Sequence, residues 1–397
     1  MVTPFSRQTD RIEGGVSGVS AYLTQALVQT GQVRVSLVVP KSLPLDLEQE
    51  TFAGCPVYRL ARRGQWAGLP GTLYDVMAGK RQVFAQLDRL KPDLVHFQGC
   101  AFLAAGCRRP HVLTIHGLAE RDALWSGSMV SRPLRWAMHR WTEGLGRRRV
   151  RHQILISDYV RRILLRRTGQ KLRMIENPVA ESFFEVVAVP HADRILCCAR
   201  IIERKNILGL IEAFALLRRK VSTATLRLAG EFSDADVYYQ RCCALIERYT
   251  LQGAVTWLGP LRVQAIQDEM ASAGCLVLPS FQETAPLVIE EAMAVGLPVV
   301  ASNLCGIPEL VRDNVTGKLV DPRDPRAIAN ALQEICTNNA LAGRMHEQAR
   351  TEAVERFKAS VVAEKTLNVY QQTLAPHTSH LTPRISHLVS RISHLKP

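Results

Sequence analysis

The sequence predicts an α/β protein made of two doubly wound, Rossmann-like domains facing each other across a cleft. Three observations carry that expectation. Short apolar or β-branched runs alternate with amphipathic stretches of helical length along nearly the whole chain, as repeated βα units do. Several runs are continuously apolar rather than alternating, as parallel strands buried on both faces require. The 397 residues suffice for two or three domains, and the pattern breaks near 180–192, where ESFFEVVAVPHAD has a proline and no clear period.

In chain order, the first half offers strands at VRVSLVVP (33–40), PVYRL (56–60), DLVHFQG (93–99), HVLTIHG (111–117), RHQILIS (151–157) and 171–178, with helices at 16–30 and 71–91. Only MVTPFS precedes the first glycine turn, so the opening strand is expected to be very short or to begin upstream. The second half offers strands at RILCCAR (194–200), TLRLAGE (225–231), AVTWLGP (254–260), AGCLVLPS (273–280), PVVAS (298–302) and GKLVD (317–321). Its helices are expected at 206–220, 236–250 and 325–338. In the tail, SHL recurs at 379–381, 386–388 and 393–395. Pro383 and the short length oppose a coiled-coil seam, and a disordered tail from a tandem duplication is the expectation over 376–397.

Composition narrows the class. Hydrophobic residues at 47% and charged residues at 22% exclude global disorder, collagen-like structure and coiled coil. No apolar run is long enough to span a membrane, and the N-terminus has no apolar signal core, so membrane contact is expected to be peripheral. The ten cysteines include two adjacent pairs and no CxxC, which reads as reduced thiols in a cytoplasm and argues against a zinc site. The net charge of +14 implies an acidic partner. Residues 132–173 concentrate it, with 13 Lys or Arg against two Asp or Glu. Trp136 and Trp141 interleave with those arginines, a pattern suited to the anionic inner face of a cytoplasmic membrane. A solvated helix face, or a basic wall for an anionic acceptor, is the alternative. No nucleic-acid recognition module appears.

Four features point at phosphate and sugar. Gly14-Gly15 opens a helix after the first strand, where the backbone can approach an anion. It is not GxGxxG, and no acidic residue ends the second strand, so a dinucleotide fingerprint is missing and an oxidoreductase is disfavoured. In ARIIERKN, Arg200 ends a buried strand and Lys205 precedes a helix, so the two cations can clamp a diphosphate. In PSFQETAPLVIEEAMAVGLPVVAS, Glu283 lies just past a strand and Glu291 on the following helix, carboxylates that suit the hydroxyls of a sugar or ribose. CGIPELV (305–311) is a further glycine turn whose N–H groups can face the same phosphates.

In this order the pieces resemble the retaining GT-B glycosyltransferases of family 4, the group 1 glycosyl transferases. The resemblance covers residues 10–375 and is strongest over 194–321. It implies an acceptor-binding domain over 1–185, a nucleotide-sugar-binding domain over 192–355 and a helix over 356–375 returning to the first domain. Arg200 and Lys205 match the pair holding the donor diphosphate. Glu283 and Glu291 match the two glutamates of EX7E, the first on the donor sugar and the second on the ribose. Gly15 matches the glycine-rich loop, and His116 in TIHG a histidine near the reacting sugar. Leu287 and Val288 would offer backbone N–H groups to the phosphates, and Leu258 would lie near the base. No metal or resident cofactor is implied; the nucleoside diphosphate sugar is a co-substrate, and a saccharide or lipid-linked saccharide of envelope or exopolysaccharide assembly is the acceptor. The chain departs from the pattern at Thr284-Ala285-Pro286, where Gly-Phe-Gly is common, and at Cys305, where a glycine is common. His96 is a further candidate for the acceptor cleft, and Asp158 reads as a helix N-cap region residue. Competing readings are an epimerase or phosphorylase-like enzyme on the same fold, and a nucleotide-sugar-binding, membrane-associated scaffold without turnover.

Overall fold

A computed structural model describes residues 1–6, 14–42, 50–61, 69–125, 131–164 and 170–375, with backbone only at 41, 42, 61 and 69–78. The SHL repeats, and residues 165–169 of the basic segment, lie outside the described residues.

The first half runs α1 (Gly15–Gln29), β1 (Leu37–Ser42), β2 (Glu50–Phe52), β3 (Cys55–Ala61), α2 (Leu69–Leu90), β4 (Val95–Gln98), α3 (Ala101–Ala104), β5 (His111–Ile115), α4 (Ala119–Asp122), α5 (Arg132–Arg149), β6 (His152–Leu155), α6 (Asp158–Leu164) and β7 (Lys171–Met174). Two parallel groups form, β1-β3 and β4-β5-β6-β7, with β2 antiparallel on the edge of β3. The short opening segment joins them. Val2, fully buried, bridges Val38 of β1 on one side and Phe97 of β4 on the other. Its N–H donates to His96 O at 2.8 Å, and its carbonyl accepts from Gln98 N–H at 2.9 Å. A few residues suffice because this position is central, with a neighbour on each side. β2 has three residues and turns back at Gly54, φ +77°, too short to leave a period in the sequence.

The second half continues with α7 (Glu181–Phe184), β8 (His191–Cys198), α8 (Ile207–Arg218), β9 (Thr225–Ala229), α9 (Val237–Arg248), β10 (Val255–Gly259), α10 (Val263–Ser272), β11 (Ala273–Leu278), α11 (Leu287–Val295), β12 (Val299–Ser302), β13 (Gly317–Val320), α12 (Pro325–Thr337), α13 (Asn339–Phe357) and α14 (Ala359–Leu374). Six parallel strands take the order β10-β9-β8-β11-β12-β13. The strand order reverses between β8 and β11, so a crevice opens there beyond the carboxyl ends. Side-chain caps set several helix starts. Asp236 accepts from Tyr238 N–H, Asp324 from Arg326 N–H with Pro325 in the first turn, and Asn338 from Leu341 N–H.

One apolar core lies among β8, β9 and the helices α8, α9 and α12, with Ile195, Leu210, Phe214, Leu228 and Leu332 in contact. A second spans the seam between the halves and joins Tyr22 and Leu37 to Phe183, Met293 and Phe357. α14 leaves the second half and lays Val362, Ala363 and Leu367 against Leu23, Leu27, Val112 and Ile154 of the first. The two crossing segments pair where they meet, Val179 N–H donating to Phe357 O at 2.8 Å and Ala359 N–H to Val179 O at 3.1 Å.

Candidate active site

The reversal in strand order places one ion-paired cluster at the centre of the second half. Beyond β8 the chain passes Arg200, whose side chain is exposed, and turns through Glu203–Lys205 into α8. Beyond β11 it reaches Glu283. Lys205 Nζ pairs with Glu283 Oε1, and Arg204 Nη1 lies 3.4 Å from Oε2 while donating to Gln282 O at 2.6 Å. These side chains are 9–14% exposed. Burial alone would raise the Glu283 carboxyl, but the Lys205 and Arg204 charges outweigh it and hold the group below its ordinary value. Glu283 is therefore an ionised carboxylate.

Backbone packing fixes the loop after Glu283. Gly306 N–H donates to Glu283 O at 3.1 Å, and a Cβ at Gly306 would stand 1.7 Å from Thr284 O, so only glycine fits. That N–H is consumed in holding the loop, so the expected phosphate-facing turn at CGIPELV does not offer it; the segment is a short 3-10 turn. Pro286 precedes α11 and brings no N–H. The N–H groups of Leu287 and Val288, in the first turn, have no acceptor among the described residues.

Glu291, one helix turn and more along α11, sits in a different environment. It is 5% exposed, and its described partner is Tyr22 of α1, whose hydroxyl donates to Oε1 at 3.0 Å. Burial pushes its carboxyl up to about 8, against a smaller opposing effect of the Tyr22 hydrogen bond. The adjacent Glu290 is fully buried and raised well above the usual range by burial, though Asn177 Nδ2 donates to its Oε2 at 3.1 Å. The structure thus separates the two glutamates of the motif: one is ionised among cations, the other protonated near neutral pH against a tyrosine.

The facing wall comes from the carboxyl ends of β4 and β5. His116 Nε2 lies 2.6 Å from Gln98 Oε1, and the amide nitrogen of Gln98 lies 3.4 Å from His96 Nε2. His96 also meets Thr114 Oγ1 at 2.7 Å and, through Nδ1, Tyr370 of α14 at 2.6 Å. With Gln98 so oriented, His116 donates from Nε2 and His96 accepts at Nε2. Burial lowers His116 to about 4, with Asn177 opposing in part, and lowers His96 to about 3. Both are neutral at pH 7. His96 is 3% exposed and serves this network rather than lining the cleft as expected, because it is the second residue of β4, short of the strand's carboxyl end.

Other expected residues fall as follows. Gly14 caps α1 at φ +86°, and a Cβ on Gly15 would meet nothing within 4 Å among the described residues. Leu258 is half-buried in β10 against the seam core. A cavity of about 450 Å³ opens on the seam, lined by Tyr22, Phe52, Ala180 and Gln267 among others. Asp158 is the first residue of α6, in the N-cap region as expected, and Ser157 before it accepts at Oγ from Val160 N–H at 3.4 Å. The Asp158 N–H donates to Glu309 Oε2 across the seam at 2.6 Å. On α5, Leu134, Trp136 and Trp141 are exposed, Trp141 to 65%, and Arg140 stacks over Trp136 at 5.3 Å. No helix among the described residues is long and apolar enough to cross a membrane. Sequence reasoning passed over Arg204, Gln98, Tyr22 and Asn177. Arg204 stands beside Lys205 in the same motif and Gln98 ends the strand LVHFQ, so both carried a positional signal; Tyr22 and Asn177 meet their partners only through the fold.

Comparison with known proteins identifies the family and the fold. Residues 180–352 match glycosyl transferases group 1, and residues 13–183 match Glycosyltransferase Family 4. The chain is 26% identical over 292 residues to the alpha-maltose-1-phosphate synthase of Mycobacterium tuberculosis, covering 66% of this chain and 73% of that protein. Its fold is that of the sucrose-phosphate synthase of Thermosynechococcus elongatus (TM-score 0.79, 22% identity, 94% and 99% of the two chains). It is also that of Anabaena HepE, solved in complex with UDP-glucose (TM-score 0.69, 18% identity, 94% and 99%). Two parallel Rossmann-like sheets with the two matches side by side make this a GT-B protein, and the chain belongs to the group 1, family 4 glycosyltransferases.

Proposed function

We propose that the protein moves a hexosyl group, with retention and without a metal, from a nucleoside diphosphate sugar to a hydroxyl of a saccharide or lipid-linked saccharide. The observation that carries this reading is the Lys205–Glu283–Arg204 cluster at the strand-order reversal, beside the open N–H groups of Leu287 and Val288. Arg200, Lys205 and that helix start receive the diphosphate. As the bond from C1 to the diphosphate breaks, its electron pair leaves with the diphosphate, and the growing charge falls on these donors. Glu283 meets hydroxyls of the donor sugar, Glu291 the ribose, and Leu258 lies near the base. The glycine turn at Gly15 completes the phosphate side. The acceptor oxygen enters over the neutral wall at His116 and bonds to C1, and its proton passes to the departing diphosphate. The likeness to a structure holding UDP-glucose supports a nucleotide-sugar donor. The exposed tryptophans and arginines of α5 suit a peripheral seat on an anionic membrane at the cytoplasmic face.

The test is release of nucleoside diphosphate from a panel of UDP-, GDP- and ADP-hexoses, with Glu283→Ala and Lys205→Ala as controls. Release from one base, lost in both variants, is the expected result. Saturable binding without release from any donor would favour the scaffold reading instead.

A further inference from the structure

Gly117 follows His116 directly, and its lack of a side chain leaves a slot where the two walls of the cleft approach. A Cβ there would stand 3.6 Å from Thr284 Oγ1 and 3.8 Å from Asp122 Oδ2. These oxygens come from opposite halves of the protein. Asp122 ends α4, the element after β5, whose last residue His116 follows directly. Thr284 directly follows Glu283, at a position where the family often has glycine. Neither side chain makes a hydrogen bond or ion pair among the described residues.

Asp122 differs from its acidic neighbours in that respect. Glu120 is spent on Arg147 at 2.5 Å, and Glu283 on Lys205 and Arg204. Asp122 is exposed by area, yet walled by protein on most sides. Its carboxyl is raised by burial; Arg204 and Lys205 oppose that shift, while Glu283 and Glu120 add to it. Those groups place it within electrostatic reach of the donor-side cluster.

We propose that Asp122 and Thr284 hold one neutral acceptor hydroxyl between them in the slot left by Gly117. A hydroxyl has one proton to donate and lone pairs to accept. Asp122 takes the hydrogen bond from its proton, and Thr284 Oγ1 donates to its oxygen. The slot selects against an anion, because a phosphate or carboxylate there would face Asp122 with Glu283 behind it. Asp122 is thus an acceptor-binding residue, and Thr284 gives the departure from the family pattern a role. This rests on the transferase reading above and names the group its acceptor presents.

The test uses the full chain, the donor found in the panel, and methyl hexosides as acceptor probes. Gly117→Ala is the cleanest variant. Its methyl would make ordinary van der Waals contacts with Thr284 and Asp122, so the fold survives while the slot is filled. Asp122→Asn keeps the shape and removes the charge. Both are expected to lower kcat/KM for the methyl hexoside by about tenfold or more, and by clearly more than any change in donor hydrolysis without acceptor. Unchanged acceptor kinetics in Asp122→Asn would overturn the proposal. So would an equal fall in donor hydrolysis, which would put Asp122 on the donor side. If the wild type hydrolyses its donor but neither binds nor glycosylates any methyl hexoside, the neutral-hydroxyl assignment is wrong. If the wild type turns over no donor at all, the transferase reading itself fails, a result visible before any variant is made.

Discussion

On the second-half wall of the cleft, Glu283 is clamped by Lys205 and Arg204 and stays ionised. On the first-half wall, His116 and His96 share a chain through Gln98 to Thr114 and Tyr370 and stay neutral. On the function proposed above, the difference reflects what each wall must do. A wall that receives a diphosphate needs fixed cations, and in its absence those cations need a partner, since a buried unpaired charge is costly. Glu283 is that partner. A wall that receives hydroxyls needs oriented donors and acceptors, and a neutral network supplies them with no ion pair to rearrange.

Removing the carboxylate should break the contrast most visibly. Glu283→Ala leaves Lys205 and Arg204 close together without their counter-ion. Turnover is expected to fall about 10²–10³-fold, and urea unfolding to show a loss of about 3 kcal/mol. Turnover within about fivefold of wild type would remove Glu283 from the chemistry.

Gly306→Ala probes the same wall through its backbone. The new methyl would collide with Thr284 O at 1.7 Å, forcing the Glu283–Thr284 loop to move. A stability loss of about 1–3 kcal/mol and a fall in turnover of about tenfold are expected. Unaltered kinetics in a folded variant would show that this loop need not be held in place.

The walls should also separate by pH. Each histidine, lowered to about 4 and about 3 from an ordinary 6.5, takes up protons more readily when unfolded. Their contribution to stability is full above pH 6.5 and is lost as pH falls toward 4 and 3. Glu291 has the opposite sign. With its carboxyl at about 8 against an ordinary 4.5, the folded state holds the extra proton. Its contribution is full below 4.5 and is lost as pH rises through 8. Glu291→Gln should therefore flatten the decline of the melting temperature between pH 4.5 and 8 while leaving the acid limb in place. An unchanged alkaline slope would show that Glu291 is ionised in the folded protein.

The smallest effect concerns neither wall. Trp141→Ala, on the exposed face of α5, should weaken partition onto phosphatidylglycerol vesicles about fivefold and leave turnover of a soluble donor unchanged. Equal vesicle binding would mean that α5 is a solvated basic face.

Most of the parallel strands were legible because burial on both faces writes itself as an apolar run; ILCC, LRLA and GCLVL all became central strands. The run at 171–178 was read too long, because the strand ends at Met174 and the last ladder bond is from Ile175 N–H to Leu155 O, ahead of Asn177-Pro178. α4 and β2 were invisible, being too short for any period. Within the site, Lys205, Glu283 and Glu291 stood out through their spacing. Their sharply different environments did not, since the Tyr22 that meets Glu291 is 269 positions away. His96 and His116 both sit in short apolar runs, but His96 is the second residue of β4 whereas His116 follows the last residue of β5, and only the true strand boundaries tell the buried ring from the one at the cleft. Asp122 gave no signal because an unpartnered carboxylate can be recognised only after its neighbours are paired.

The return of α14 to the first half has a consequence during synthesis. Leu23, Leu27, Val112 and Ile154 are covered by residues of α14, which emerge only after α7 to α13 have been made. At about 5–20 residues per second, the nascent first half waits on the order of ten to forty seconds between the exit of Ile175 and that of Leu367. Through that interval it carries an uncovered apolar stripe on the ribosome. A chain halted at the linker would release the first half with that stripe exposed, so nascent-chain crosslinking should find a holding chaperone on stalled first halves and not on chains extended past Leu374.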